Sequence, residues 1–209
     1  MKMNQITKEF CALIVSLCKI KEVDDFIKSN KFNPQEALRF KFDLAILNIF
    51  LAIRAINLFI PNEDEAKKII DPVFKNYMNL FVEVNPKMEK DEFSKLTVVV
   101  GDFVKRESEL RLLKAIIKVQ INKDVDIKNL RTDWRMLAEM LYNIRQAGYR
   151  RAIENQGNLG PMFSIAREFS RHFTGNENDE ENGWLVVELS LLFSLFNVIL
   201  IDFCKLNLV

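Results

Sequence analysis

A single histidine, His172, stands in this chain of 209 residues, alongside three cysteines, six glycines and five prolines. Each scarcity removes a class of chemistry. Zinc needs several His or Cys ligands, and Cys11, Cys18 and Cys204 lie in apolar sequence with no histidine beside them, so no metal site is expected. An odd number of thiols in apolar surroundings suits free cysteines in a reducing compartment better than a disulfide framework. A cytoplasmic protein is expected, because Lys8 and Glu9 precede the short apolar run Cys11 to Leu17 and no small-residue cleavage site follows. Charge of one sign is also missing. Thirty Lys and Arg against 29 Asp and Glu leave a net charge of +1, which gives no global field toward nucleic acid or membrane.

What is abundant is apolar. Seventeen phenylalanines and a hydrophobic share of 49% supply a core, and a chain of this length can bury roughly 70% of its unfolded surface. With so few breaks, this is long-helix composition. Two stretches stand out. Trp184 to Val209 (WLVVELSLLFSLFNVILIDFCKLNLV) is apolar around most of its circumference, as in a central bundle helix or a membrane helix. Its uncharged run, Leu189 to Ile201, is shorter than the roughly 18 residues of a spanning segment and is bracketed by Glu188, Asp202 and Lys205, so a membrane is not expected. Leu44 to Ile60 is nearly as apolar. The fold expected is all-α, a multi-helix bundle of some six to eight helices around these two, in a single domain over 1–209 with a sub-boundary conceivable near 122–130. The same apolar excess points to a homodimer.

Along the chain, a first helix is expected over about Gln5 to Ile20, with Phe10, Leu13, Ile14 and Leu17 inward, then a polar stretch to Asn30. Asn33-Pro34-Gln35-Glu36 reads as N-cap, proline at the first helical position and capping-box acid. In the helix that follows, Glu36, Arg39, Asp43, Arg54 and Asn57 form a narrow polar stripe, read as solvated. Pro61 ends it and Asn62 caps the next helix, which Pro72 must kink or restart. From Asn85-Pro86 a long helix is expected to about Gln120, helical even through Leu96 to Gly101 (LTVVVG), with a loop over Asn122 to Asn129. Thr132 is placed as the cap of the following helix.

That next helix, DWRMLAEMLYNIRQAGYRRAIEN, is amphipathic, with Trp134, Leu137, Met140, Leu141 and Ile144 assigned to its buried side. Arg135, Tyr142, Arg145 and Tyr149 share the opposite arc, followed by Arg150 and Arg151. From Arg131 to Arg171 every basic residue is arginine, although the chain as a whole prefers lysine. Arginine offers a planar fork to phosphate or carboxylate and stacks on aromatic rings. Interleaved with tyrosine, it suits a protein interface, and a single-stranded nucleic acid or other anion is the second reading. Asp133, Glu139, Glu154, Glu168 and the acidic run Asn176 to Asn182 could instead simply neutralise it.

Pro161 starts a further helix containing Arg167-Glu168-Phe169-Ser170-Arg171-His172. Over these six residues the R-x₄-H spacing resembles the HEPN ribonucleases, all-helical bundles whose spaced Arg and His cleave RNA. The resemblance implies His172 as general acid or base and Arg167 as oxyanion stabiliser; Glu168, an acid beside the Arg, departs from the pattern and would weaken phosphate binding. Read on its own, His172 is expected at a half-exposed surface position. Gly157 to Gly160 lacks the strand and the Gly-Lys-Ser/Thr ending of a phosphate loop, and no G-x-S-x-G accompanies any serine. Asp179 to Glu181 lacks the glycine and terminal glutamate of a calcium loop. The first expectation is therefore a non-enzymatic binding or adaptor protein that presents Arg135, Tyr142, Arg145, Tyr149, Arg150 and Arg151 to a protein partner, with no cofactor. The alternatives are a ribonuclease using Arg167 and His172, and a carrier of an apolar ligand.

Overall fold

In a computed structural model of the chain, residues 2–84, 104–121, 133–178 and 181–208 are described. Every regular element among them is helical: α1 (Lys2–Leu17), α2 (Lys21–Ser29), α3 (Pro34–Phe59), α4 (Glu63–Val84), α5 (Glu107–Ile121), α6 (Asp133–Glu154), a 3₁₀ turn (Gly157–Leu159), α7 (Pro161–Thr174) and α8 (Gly183–Asn207). The protein is all-α, and its two most apolar helices are α3 and α8. The chain divides into two compact units, residues 1–81 with 187–209, and residues 82–186. The 122–130 stretch, the Leu96 to Gly101 segment and Thr132 lie outside the described residues.

In the first unit, α3 starts where its capping chemistry requires. Asn33 Oδ1 accepts from the backbone N–H of Gln35 and Glu36 at 3.0 and 2.9 Å, and Glu36 returns a carboxylate to Asn33 N at 2.9 Å. Pro34 occupies the first turn, where its missing N–H costs nothing. From Phe42 to Ile53 every residue of α3 is buried. That overturns the solvated polar stripe at one position, since Asp43 is fully buried. Asn62 caps α4 through Glu65 N at 3.1 Å, and α4 runs through Pro72 without a restart. Tyr77 of α4 donates to Ala45 O of α3 at 2.9 Å, and Cys11 of α1 donates to Val73 O at 3.5 Å. The expected polar stretch before Asn30 is instead helix α2, held by the buried pair Val23 and Phe26 three residues apart.

Helix α8 closes this unit with one face. Leu189, Phe193, Phe196, Leu200 and Cys204 are fully buried, at the 4-3-4-4 spacing of one helical stripe. Two polar ties fix it: Arg54 Nη1 to Asn197 Oδ1 at 3.1 Å and Asn30 Nδ2 to Glu188 Oε2 at 2.9 Å. Phe203 stacks on Phe10 at 4.9 Å. The other face is open. Val187, Leu191, Leu195 and Val198 are exposed, Leu191 by 69%. By length and composition α3 and α8 could each cross a membrane, although α3 is the mostly buried one. The three thiols are free, and burial pushes Cys11 up to about 11 and Cys18 and Cys204 up to about 12. Such thiols are inert at neutral pH.

In the second unit the long helix expected from Asn85 to about Gln120 is broken. Val104 to Arg106 is not helical, and α5 begins at Glu107. Arg106 O accepts from Leu110 N at 3.0 Å, and Glu107 and Glu109 place acids in the first turn, where the helix dipole favours them. A start with an acidic first turn outweighs the apolar periodicity across it. Helices α6 and α7 pack along each other. Pro161 opens α7 as expected, and Gly175 closes it at φ 75°, with its N–H bonded to Arg171 O at 3.0 Å.

Candidate functional site

The polar residues of α6 do not form an exposed face. Tyr142 is 6% exposed, and Arg145 and Tyr149 are fully buried, on the same stripe as Ala138 and Leu141. The expectation of a solvent-facing arc is thus reversed at three of its positions. The physical reason is Glu109 at the start of α5, itself buried: both Nε and Nη2 of Arg145 lie 3.4 Å from Glu109 Oε2. A buried guanidinium is tolerated only with such a partner. Arg150 and Arg151 remain exposed. Arg135 lies on α6, but its side chain is outside the described residues.

His172 is buried as well, which corrects its expected half-exposed position. Its Nδ1 meets Glu109 Oε1, its Nε2 lies 3.5 Å from Glu168 Oε1, and Tyr149 stands edge-on to its ring at 5.5 Å. Burial alone would push the Glu109 carboxyl up. The Arg145 guanidinium and His172 beside it more than reverse this and bring it down to about 2. A chain of polar contacts therefore runs from the core outward, through Arg145, Glu109, His172 and Glu168 to Arg106 and Glu177.

At its outer end is a recess of about 310 Å³ between α6, α7 and the start of α5. Arg106, Arg151, Arg167 and Arg171 line it, with Glu168 as the lining carboxylate and Asn155 and Ser164 as neutral donors. Arg106 donates from Nη1 to Glu168 Oε1 at 2.7 Å and from Nε and Nη2 to the two carboxylate oxygens of Glu177 at 2.6 and 3.1 Å. Arg171 Nη1 lies 3.5 Å from Glu168 Oε2. The Arg167 guanidinium sits over the Phe163 ring at 5.6 Å, and Arg151 Nε donates to Ala147 O at 3.2 Å. Gly148 makes room for the Glu168 head, because a Cβ there would come within 2.7 Å of Glu168 Oε1.

The two sequence candidates thus meet at one place. Arg151 from the Arg/Tyr helix and Arg167 from the R-x₄-H segment line the same recess, while Arg145, Tyr149 and His172 form the buried support beneath it. Arg167 and His172 are separated: five residues turn a helix by about 140°, which sends one to the recess and the other inward. Sequence reasoning missed Arg106, Glu109 and Gly148. The available signal was Glu109 four residues before Leu113, on one face of α5, where both are buried. Among the described residues no group of three His, Cys, Asp or Glu is placed to hold a metal ion. Comparison of the chain with protein-family models, curated proteins and solved structures finds no match.

Proposed function

We propose that the protein is a non-enzymatic helical binding module that takes hold of an anionic group, carried by a protein partner, in the recess between α6 and α7. The observation that carries this reading is the charge of the recess: four guanidinium groups, from three separate segments, line it, against the carboxylate of Glu168 in the lining and that of Glu177 on Arg106. Arginine forks bind oxyanions in pairs of parallel hydrogen bonds, and an excess of cation in a concave, partly desolvated place attracts anions more strongly than it would in open water. The walls are polar, so an apolar ligand has little to gain there. A ribonuclease would need an acid or base within reach of the scissile phosphate, and His172 faces inward with a carboxylate at each ring nitrogen.

The test is titration of inorganic phosphate at constant ionic strength, followed by NMR shifts of arginine side-chain N–H groups. Shifts confined to the recess are expected, and they should vanish in Arg151→Glu with Arg167→Glu. Arg151 is exposed and Arg167 half-buried, so the fold should survive this change. No saturable shift, or saturation unaffected by the double variant, refutes the reading.

A further inference from the structure

We infer that the anion taken by this recess is a phosphate monoester, and that Glu177 is a built-in competitor that occupies its place on Arg106 until it arrives. The inference rests on the anion-binding reading above and adds ligand class and regulation to it.

The two carboxylates on Arg106 differ. Glu168 belongs to α7, is 12% exposed and sits in the space left by Gly148, so it is part of the floor. Glu177 lies beyond the end of α7, outside any helix, and is 58% exposed. It nevertheless makes the two-pronged contact, with Oε1 at 2.6 Å from Nε and Oε2 at 3.1 Å from Nη2 of Arg106, and Oε2 also lies 4.0 Å from Arg171 Nε. This is the geometry in which arginine binds any oxyanion. Arg106 is 20% exposed and stays held by Glu168 whatever happens at its other edge, whereas water competes for the 58% exposed Glu177 carboxylate, so the Glu177 end of the pair is the replaceable one. The Glu177 carboxylate therefore marks an anion position that a better anion can take.

Ligand chemistry decides which anion is better. Another carboxylate would replace Glu177 like for like and gain nothing from the exchange. A phosphate diester carries one negative charge and must lead two ester arms out of the recess. A phosphate monoester carries about −1.5 to −2 charges at pH 7 and three terminal oxygens. Two of those oxygens can take the Arg106 edge that Glu177 leaves, and the third can turn toward Arg171, which Glu177 reaches only at 4.0 Å. The second charge is met by Arg151 and Arg167, which line the same recess.

The experiment compares wild-type protein with Glu177→Gln in calorimetric titrations with phenyl phosphate and with its methyl ester, a diester monoanion, at pH 7.5 and fixed ionic strength. Phenyl phosphate should bind wild-type protein more tightly than the diester does, and Glu177→Gln should tighten it by up to about five-fold, the limit set by the small worth of an ion pair with an exposed carboxylate. Equal affinity for monoester and diester, or no gain in Glu177→Gln while Arg151→Glu with Arg167→Glu still abolishes binding, overturns this inference and leaves the anion site standing. Absence of binding by both wild-type and Glu177→Gln protein overturns the anion site itself, and the inference falls with it.

Discussion

Replacing Arg145 with Met should destabilise the second unit by about 3 kcal/mol or more at pH 7. Burial gives the magnitude and the Glu109 carboxyl gives the sign. Arg145 is fully buried and Glu109 is 3% exposed; removing one partner of such a pair strands the other charge and costs about 3–5 kcal/mol. The Glu109 carboxyl, in turn, falls from its ordinary 4.5 to about 2 although burial pushes it up, and Arg145 is the foremost of the neighbours that lower it, ahead of His172 and Arg106. The sign follows from the direction of the shift. A carboxyl with a depressed folded-state pKa contributes its full stability above pH 4.5 and loses it as the pH falls toward about 2. Urea unfolding followed by circular dichroism, from pH 7 down to pH 2.5, reads both effects. Wild-type protein should lose stability steeply below pH 4.5, whereas Arg145→Met should start lower and show a shallower acid limb. Arg145→Met with Glu109→Gln should recover part of the loss, because no unpaired charge is then left buried. A cost under about 1 kcal/mol with an unchanged acid limb would refute the buried pair, since that is how an exposed arginine behaves.

Two further outcomes are expected. Gly175→Ala should destabilise by about 2 kcal/mol, because the position is held at φ 75° and a Cβ would come 2.8 Å from the Lys105 carbonyl oxygen, which is backbone and cannot swing aside; a loss under about 0.5 kcal/mol in urea unfolding would show the turn to be unstrained. No metal-independent RNA cleavage is expected from wild-type protein, Arg167→Ala or His172→Ala. Cleavage lost in both variants, with Arg167→Ala retaining its fold, would reinstate the ribonuclease.

Legibility in the sequence followed the physics of each signal. The start of α3 was readable because a cap, a proline and an acid within four residues act locally, and the same holds for Asn62 and Pro161. The all-α class followed from composition and from two apolar runs too long to be strands. The orientation of α6 was not readable in the same way. Residues 138, 142, 145 and 149 have core spacing, but the polarity of Tyr and Arg placed the last three outside, because the carboxylate that draws Arg145 inward lies 36 residues away on α5. A tertiary partner decided the matter. The break before α5 failed for the opposite reason: an apolar periodicity long enough to suggest one helix ran across a start encoded by Glu107 and Glu109. Arg151 and Arg167 were each singled out separately; only packing of α6 on α7 could show that they share a recess.

Gly148 gives α6 a notch one methyl group deep, and the Glu168 head occupies it so closely that a Cβ there would make the head shift. With Glu168 seated there, Arg106 and Arg171 are anchored on it before any guest arrives. Their side-chain entropy is spent in folding, and association does not have to spend it again. In the anion-binding reading, the recess is therefore a rigid template, and an arriving phosphate needs only to shed water and displace Glu177. A missing side chain on one helix thus becomes preorganisation on the next.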